Sequence, residues 1–126
     1  MKTDLYDCEI QLQEYDNVKL YKKPLYSLQK NDKSIYIGDY SNLLKIHKRL
    51  KILLEYAYLD NKNSDIVFSY TEDKFFIKHK KHNIVINLPN EQVCKLSANI
   101  GKFIYSKMVQ SGKIKNNDEN KQNTSK

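Results

Sequence analysis

The sequence predicts an α+β fold, an antiparallel sheet with two helices packed on one face in the order strands, helix, strands, helix. Short stretches alternating with period two occupy residues 8–37 and recur over 66–88, each bounded by polar turns. Each group is followed by a segment apolar at three- and four-residue spacing. The 126 residues, 40% of them hydrophobic, suffice for one modest core. The repeated order suggests an internal duplication, although no residue-level repeat accompanies it. One domain is expected over 1–112. A disordered polar tail is expected over 113–126, where Ile114 is the only apolar residue.

Element by element, Cys8 to Gln13 alternates as a half-buried strand does, and Val18 to Tyr21 follows the Asp16-Asn17 turn signal. Pro24 interrupts this second strand, so it either lies at an edge or ends there. Strands at Leu25 to Leu28 and Ser34 to Ile37 flank the polar turn at residues 30–33. Ser41 is a suitable N-cap for a helix reaching about Leu59, with a stripe of Leu43, Ile46, Leu50, Leu53, Leu54 and Ala57. Three further strands are expected at Ile66 to Tyr70, Phe75 to Ile77 and Ile84 to Leu88. Pro89, Asn90 and Glu91 open a second helix, which buries Val93, Leu96, Ile100, Phe103 and Ile104 and stops near Gly112.

The net charge is +7, and it is unevenly spread: over residues 1–16, Asp4, Asp7, Glu9, Glu14 and Asp16 stand against Lys2 alone. The rest of the chain is strongly basic, which favours a polyanionic partner. Of the 22 cations only Arg49 is arginine. Lysine acts as a point charge that suits phosphates, whereas sequence-specific duplex readers rely on bidentate arginine. An excess of Lys, Asn, Ile and Tyr is also what an AT-rich genome produces.

No phosphate-binding loop can be built from Gly38, Gly101 and Gly112, and His47, His79 and His82 have no neighbouring nucleophile. No catalytic residue, cofactor or metal ligand is assigned. Cys8 and Cys94 stand apart from any Cys/His cluster and read as small buried hydrophobes. So few cysteines agree with a reducing compartment. With no apolar run near membrane-spanning length and an opening too acidic for a signal peptide, a cytoplasmic location is expected.

The most pointed signal runs from Lys74 to His82, where Lys74, Lys78, Lys80, Lys81, His79 and His82 interleave with Phe75, Phe76 and Ile77 and no acid intervenes. On a regular strand Phe76, Lys78 and Lys80 share one face, while Phe75, Ile77 and His79 share the other. If the second set is buried, the first is displayed. The same alternation presents Lys19, Tyr21 and Lys23, and burial of Ile35 and Ile37 would display Tyr36. A face bearing Lys19, Tyr21, Lys23, Tyr36, Phe76, Lys78, Lys80 and Lys81 has the ingredients of a platform for single-stranded nucleic acid. It equally describes a sheet face kept soluble by lysines, with aromatics present because they favour strands.

On the first helix Lys45, Lys48, Arg49 and Lys51 scatter as a solvated face does. Leu44, Ile52, Tyr56 and Leu59 are apolar on the side away from the expected core, so a homodimer interface through Ile52, Tyr56 and Leu59 is expected. The junction Ile84-Val85-Ile86-Asn87-Leu88-Pro89-Asn90-Glu91-Gln92 resembles the strand-into-helix passage of the Whirly and PUR groups of single-stranded nucleic-acid binders. That resemblance covers about a tenth of the chain. It implies the same class of ligand, DNA or RNA, held without enzymatic activity. The competing expectation is a small protein-interaction module, an inhibitor or adaptor of a phage or other mobile element, acting through its helix surfaces.

Overall fold

The structure is a computed structural model that describes residues 6–16 and 24–112. The segment expected as a strand at Val18 to Tyr21, with Lys19, Tyr21 and Lys23, lies outside the described residues, as does the expected tail. The elements follow the predicted order: β1 (Gln11–Asp16), β2 (Pro24–Lys30), β3 (Lys33–Gly38), α1 (Tyr40–Tyr56), β4 (Ile66–Tyr70), β5 (Lys74–His79), β6 (Ile84–Pro89), a 3-10 turn (Asn90–Gln92) and α2 (Val93–Gln110).

The strands form two antiparallel three-stranded sheets, β1-β2-β3 and β4-β5-β6, where the sequence suggested one. The edges of β3 and β6 face each other with Cα atoms inside 8 Å. Lysines take the place of a ladder there. Lys30 Nζ donates to the Asn87 carbonyl at 2.8 Å and Lys33 Nζ to the Val85 carbonyl at 3.3 Å. The carbonyls that β6 turns away from β5 are thereby satisfied by ammonium groups, which also blunts an otherwise open edge.

At the opposite margin the outer edge of β4 is closed by Arg49 and Asn61. Arg49 Nη1 donates to the Ile66 carbonyl at 2.8 Å and Nη2 to Asn61 Oδ1 at 2.5 Å. The Asn61 amide bonds both the carbonyl and the N–H of Phe68, at 2.9 and 3.3 Å, as a neighbouring strand would. The guanidinium also lies 5.3 Å from the Phe68 ring centroid. Arg49, expected among solvated cations, is therefore a structural staple. Five fixed donors explain why arginine stands at this one position.

Local chemistry moves several expected boundaries. The N-cap of α1 is Asp39, whose carboxylate accepts from the Asn42 N–H at 3.1 Å, rather than Ser41. Gly38, at φ +114°, makes the sharp strand-to-helix corner, and a Cβ there would collide with the Asn42 side-chain amide. Ala57 adopts a left-handed conformation and donates its N–H to the Leu53 carbonyl, so α1 ends at Tyr56 and not near Leu59. The first strand starts at Gln11 instead of Cys8, because Glu9 N–H is taken by Gln92 Oε1 at 2.8 Å. Cys94 is exposed and Cys8 half-buried, where both were expected inside.

Both helices lie on one side of the strands. Tyr26 of β2 meets Tyr40 of α1 at 6.5 Å and Phe103 of α2 at 5.5 Å, and its hydroxyl donates to Glu14. Glu14 in turn pairs with Lys107 of α2 at 2.7 Å. A single apolar cluster joins both sheets to both helices.

The two halves share a register and an apolar spacing. Register aligns Leu12, Leu28 and Ile35 across the first sheet and Phe68, Ile77 and Ile86 across the second. Leu43, Ile46, Leu50 and Leu53 have the same spacing as Val93, Leu96, Ile100 and Phe103. His47 and Ser97, each the residue after the second of these, meet where the helices cross. His47 is held by the Ser97 backbone, and a Cβ on Gly101 would sit 3.1 Å from His47 Nε2. The contact thus joins positions that correspond in the two patterns.

Candidate nucleic-acid interface

With Ile66, Phe68, Phe75, Ile77, Ile86 and Leu88 buried under the helices, period two sends their neighbours to the opposite face. Lys74 and Lys78 are exposed and Phe76 is half-buried, as the alternation of β5 requires. Phe76 stands between Ser69 and Asn87, and Lys78 between Val67 and Val85. In the first sheet Tyr36 is 42% exposed and lies opposite Ser27.

Tyr15, at the end of β1, is also 42% exposed and belongs to this face, though the sequence reading did not include it. Extending the alternation of Ile10 and Leu12 by three residues would have found it. Burial first, and then the neighbouring Tyr36, pushes the Tyr15 phenol above its ordinary pKa, so it is neutral near pH 7. Gln11, Gln13, Gln29, Ser34 and Asn87 also lie on the outer face, whereas Leu25, opposite Tyr15, and Ser27, opposite Gln13 and Tyr36, lie on it but are buried.

Among the described strand residues on this face there is no carboxylate. Glu14 points to the helix side and is spent on Lys107 and Tyr26. Glu9 is paired with Lys30 at 3.0 Å. Asp32, Glu72 and Asp73 sit in turns at the strand ends.

Lys80 and Lys81 lie in the turn beyond β5, away from the strand face on which Lys80 was expected. Lys80 Nζ donates to the Asn61 carbonyl at 3.2 Å, and Lys81 Nζ is 3.8 Å from Asp65. His79 is buried beneath, its Nδ1 without a hydrogen-bond partner and its ring 4.5 Å from that of His82. Burial, then His82 and Lys81, pull its pKa below the ordinary value, against the opposing pull of Asp65. The imidazole is therefore neutral at pH 7 and adds no charge to the basic run.

The expected dimer residues are differently placed. Leu59 folds back onto its own core and Ile52 is half-buried, while Tyr56 is 68% and Tyr58 71% exposed. Leu44, expected on the outer side, also packs partly against the core.

A groove of about 750 Å³ lies elsewhere, between residues 6–12 and α2, lined by Cys8, Ile10, Leu12, Asn99 and Phe103 among others. Asn99 there holds the backbone of Tyr6 by both its polar groups, accepting from the N–H at 2.8 Å and donating to the carbonyl at 2.9 Å.

Among the described residues no group of three or more His, Cys, Asp or Glu could hold a metal ion, and no helix is long and apolar enough to cross a membrane. No family model, curated protein or solved structure matches the chain.

Proposed function

We propose that the protein is a non-enzymatic nucleic-acid-binding protein that holds single-stranded DNA or RNA on the outer sheet face with little sequence selectivity. The supporting observation is a face that carries Tyr15, Tyr36, Phe76, Lys74 and Lys78 and no described strand carboxylate. Aromatic faces stack any base, and lysines replace the counterions of a phosphate backbone. A mobility-shift titration with single-stranded and duplex oligonucleotides at two salt concentrations tests this. A single-strand shift at micromolar protein, weakened by salt, is expected. No shift at low salt would sink the reading.

The alternative, a protein-interaction module, is favoured by one observation, the groove beside α2 in which Asn99 already bonds both backbone groups of Tyr6. An added peptide strand could use the same chemistry. Crosslinking from a photoreactive residue at Ser106, on the groove wall, would detect such a partner while leaving the sheet face untouched.

A further inference from the structure

The two sheets differ in what they present to solvent, and the difference assigns them different parts of the ligand. This inference rests on the reading of the outer face given above. On the first sheet the described outward residues are neutral: two half-exposed tyrosines with Gln13 and Gln29 beside them, and Leu25 and Ser27 buried between the strands that carry them. On the second sheet the outward residues include two free-standing cations, Lys74 and Lys78, with the ring of Phe76 between them only half-buried and less exposed than either tyrosine. The sheets meet at the β3 and β6 edges, so the two surfaces adjoin.

We propose that Tyr15, Tyr36, Gln13 and Gln29 contact unpaired bases while Lys74 and Lys78 hold the phosphates, so that the ligand is a single strand whose bases are splayed onto the first sheet. Stacking needs flat neutral rings and tolerates every base. Amide side chains offer both donor and acceptor, which match the exposed edges of unstacked bases. A duplex hides those edges and faces, and its phosphates alone would engage only the second sheet. Base content, and not phosphate charge alone, then governs affinity.

The experiment is fluorescence anisotropy of the full chain with strands of about ten nucleotides, within the usual single-strand site range. A thymine homopolymer, an abasic strand of equal length and a hairpin duplex are titrated over a salt series. The proteins are the wild type, the double variant Tyr15→Ala/Tyr36→Ala, the double variant Tyr15→Phe/Tyr36→Phe and the double variant Lys74→Gln/Lys78→Gln. Circular dichroism checks that each is folded.

Expected results are affinities at least about tenfold weaker for the abasic strand and the duplex, since stacking on two rings is lost. The alanine variant loses roughly 30-fold on the thymine strand with an unchanged salt slope. The phenylalanine variant retains most of the affinity because it keeps the rings. The glutamine variant lowers the slope by about 1.4, for two single-strand phosphate contacts. Equal binding of abasic and thymine strands, or of the alanine variant and wild type, overturns the division of labour, and the face remains a phosphate site if the slope still falls. Failure of every strand to bind the wild type overturns the division and the underlying reading together.

Discussion

The first half of the molecule, β1 to α1, and the second, β4 to α2, share an order of elements, a helix-facing apolar pattern and a cross-strand register, yet differ almost everywhere they meet water. Leu28 and Ile77 occupy equivalent central positions, both fully buried. Their neighbours on the opposite face are the buried Ser27 and exposed Gln29 in one half and the half-buried Phe76 and exposed Lys78 in the other. Packing fixes what faces the helices, because removing or adding a methylene in a close-packed interior is felt at once. The outer face is less uniformly packed, and there the halves differ, one carrying tyrosine and amide around the buried Leu25 and Ser27 and the other lysine around the half-buried Phe76. Edges follow the same logic. Arg49 and Asn61 close β4, and no matching staple appears on β1 among the described residues.

The equivalence of the inner faces breaks most visibly if Leu28→Ala and Ile77→Ala differ. Each removes a fully buried branched side chain from the centre of its sheet, so each should cost about 3 kcal/mol in urea unfolding. One cooperative transition is expected for both, because a single cluster joins the halves. Two separate transitions would show that the halves fold independently and would dismiss the shared core.

The asymmetry of the edges is tested by Asn61→Ala, which strands a guanidinium nitrogen, the Phe68 N–H and the Phe68 carbonyl. A loss of about 2 kcal/mol is expected from partly buried groups left unsatisfied. Arg49→Lys should not restore what Arg49→Ala loses, since one ammonium cannot reach both the Ile66 carbonyl and Asn61. Full rescue by lysine would mean that charge, and not the fork, closes the edge.

Much of this architecture was legible because period two and period 3.6 report burial directly. The alternation Phe75, Phe76, Ile77, Lys78, His79 placed every side chain on its correct face. The division into two sheets was not legible, since it depends on Lys30 and Lys33 reaching carbonyls more than fifty residues away. The role of Arg49 was hidden for the same reason. Composition made it look like one cation among many, and only the path of the 57–65 connection brings Asn61 beneath it. Tyr15 was legible and overlooked. At helix ends several residues could cap, and the choice of Asp39 over Ser41 follows from the corner that Gly38 makes.

A smaller effect separates the halves by pH. His79 belongs to the second sheet, and its folded pKa is depressed by burial, by His82 and by Lys81, with Asp65 acting the other way. Its equivalent inward position in the first sheet is Lys30, so this histidine has no histidine counterpart there. In the unfolded chain the imidazole binds its proton near pH 6.5, while in the folded chain it resists, so the unfolded state holds more protons as pH falls. Stability is therefore full above 6.5 and declines below it, down to the depressed folded value. His47, depressed chiefly by burial and then by Lys51, contributes in the same direction. His79→Gln should reduce the slope of stability between pH 6.5 and 5 without abolishing it, and an unchanged slope would assign the whole dependence to His47.

The smallest effect concerns the end of α1, where the first half carries Tyr56 and Tyr58 with no counterpart of similar exposure on α2. The expected homodimer through Ile52, Tyr56 and Leu59 reduces to these two rings and the open side of Ile52, because Leu59 is used by its own core. Two tyrosines cover far less than the area a stable dimer buries, so self-association should be weak and visible only at high concentration. The internal pairing of two sheet-and-helix units already sets two surfaces side by side in one chain, which removes one advantage a dimer would bring. Sedimentation velocity over a concentration series is the direct measurement, with Tyr56→Ser/Tyr58→Ser as the control. The variant should remain monomeric throughout and keep the wild-type melting temperature, since neither ring is buried. A tight dimer that survives the double substitution would place the interface on another surface and leave the exposed end of α1 for a different partner.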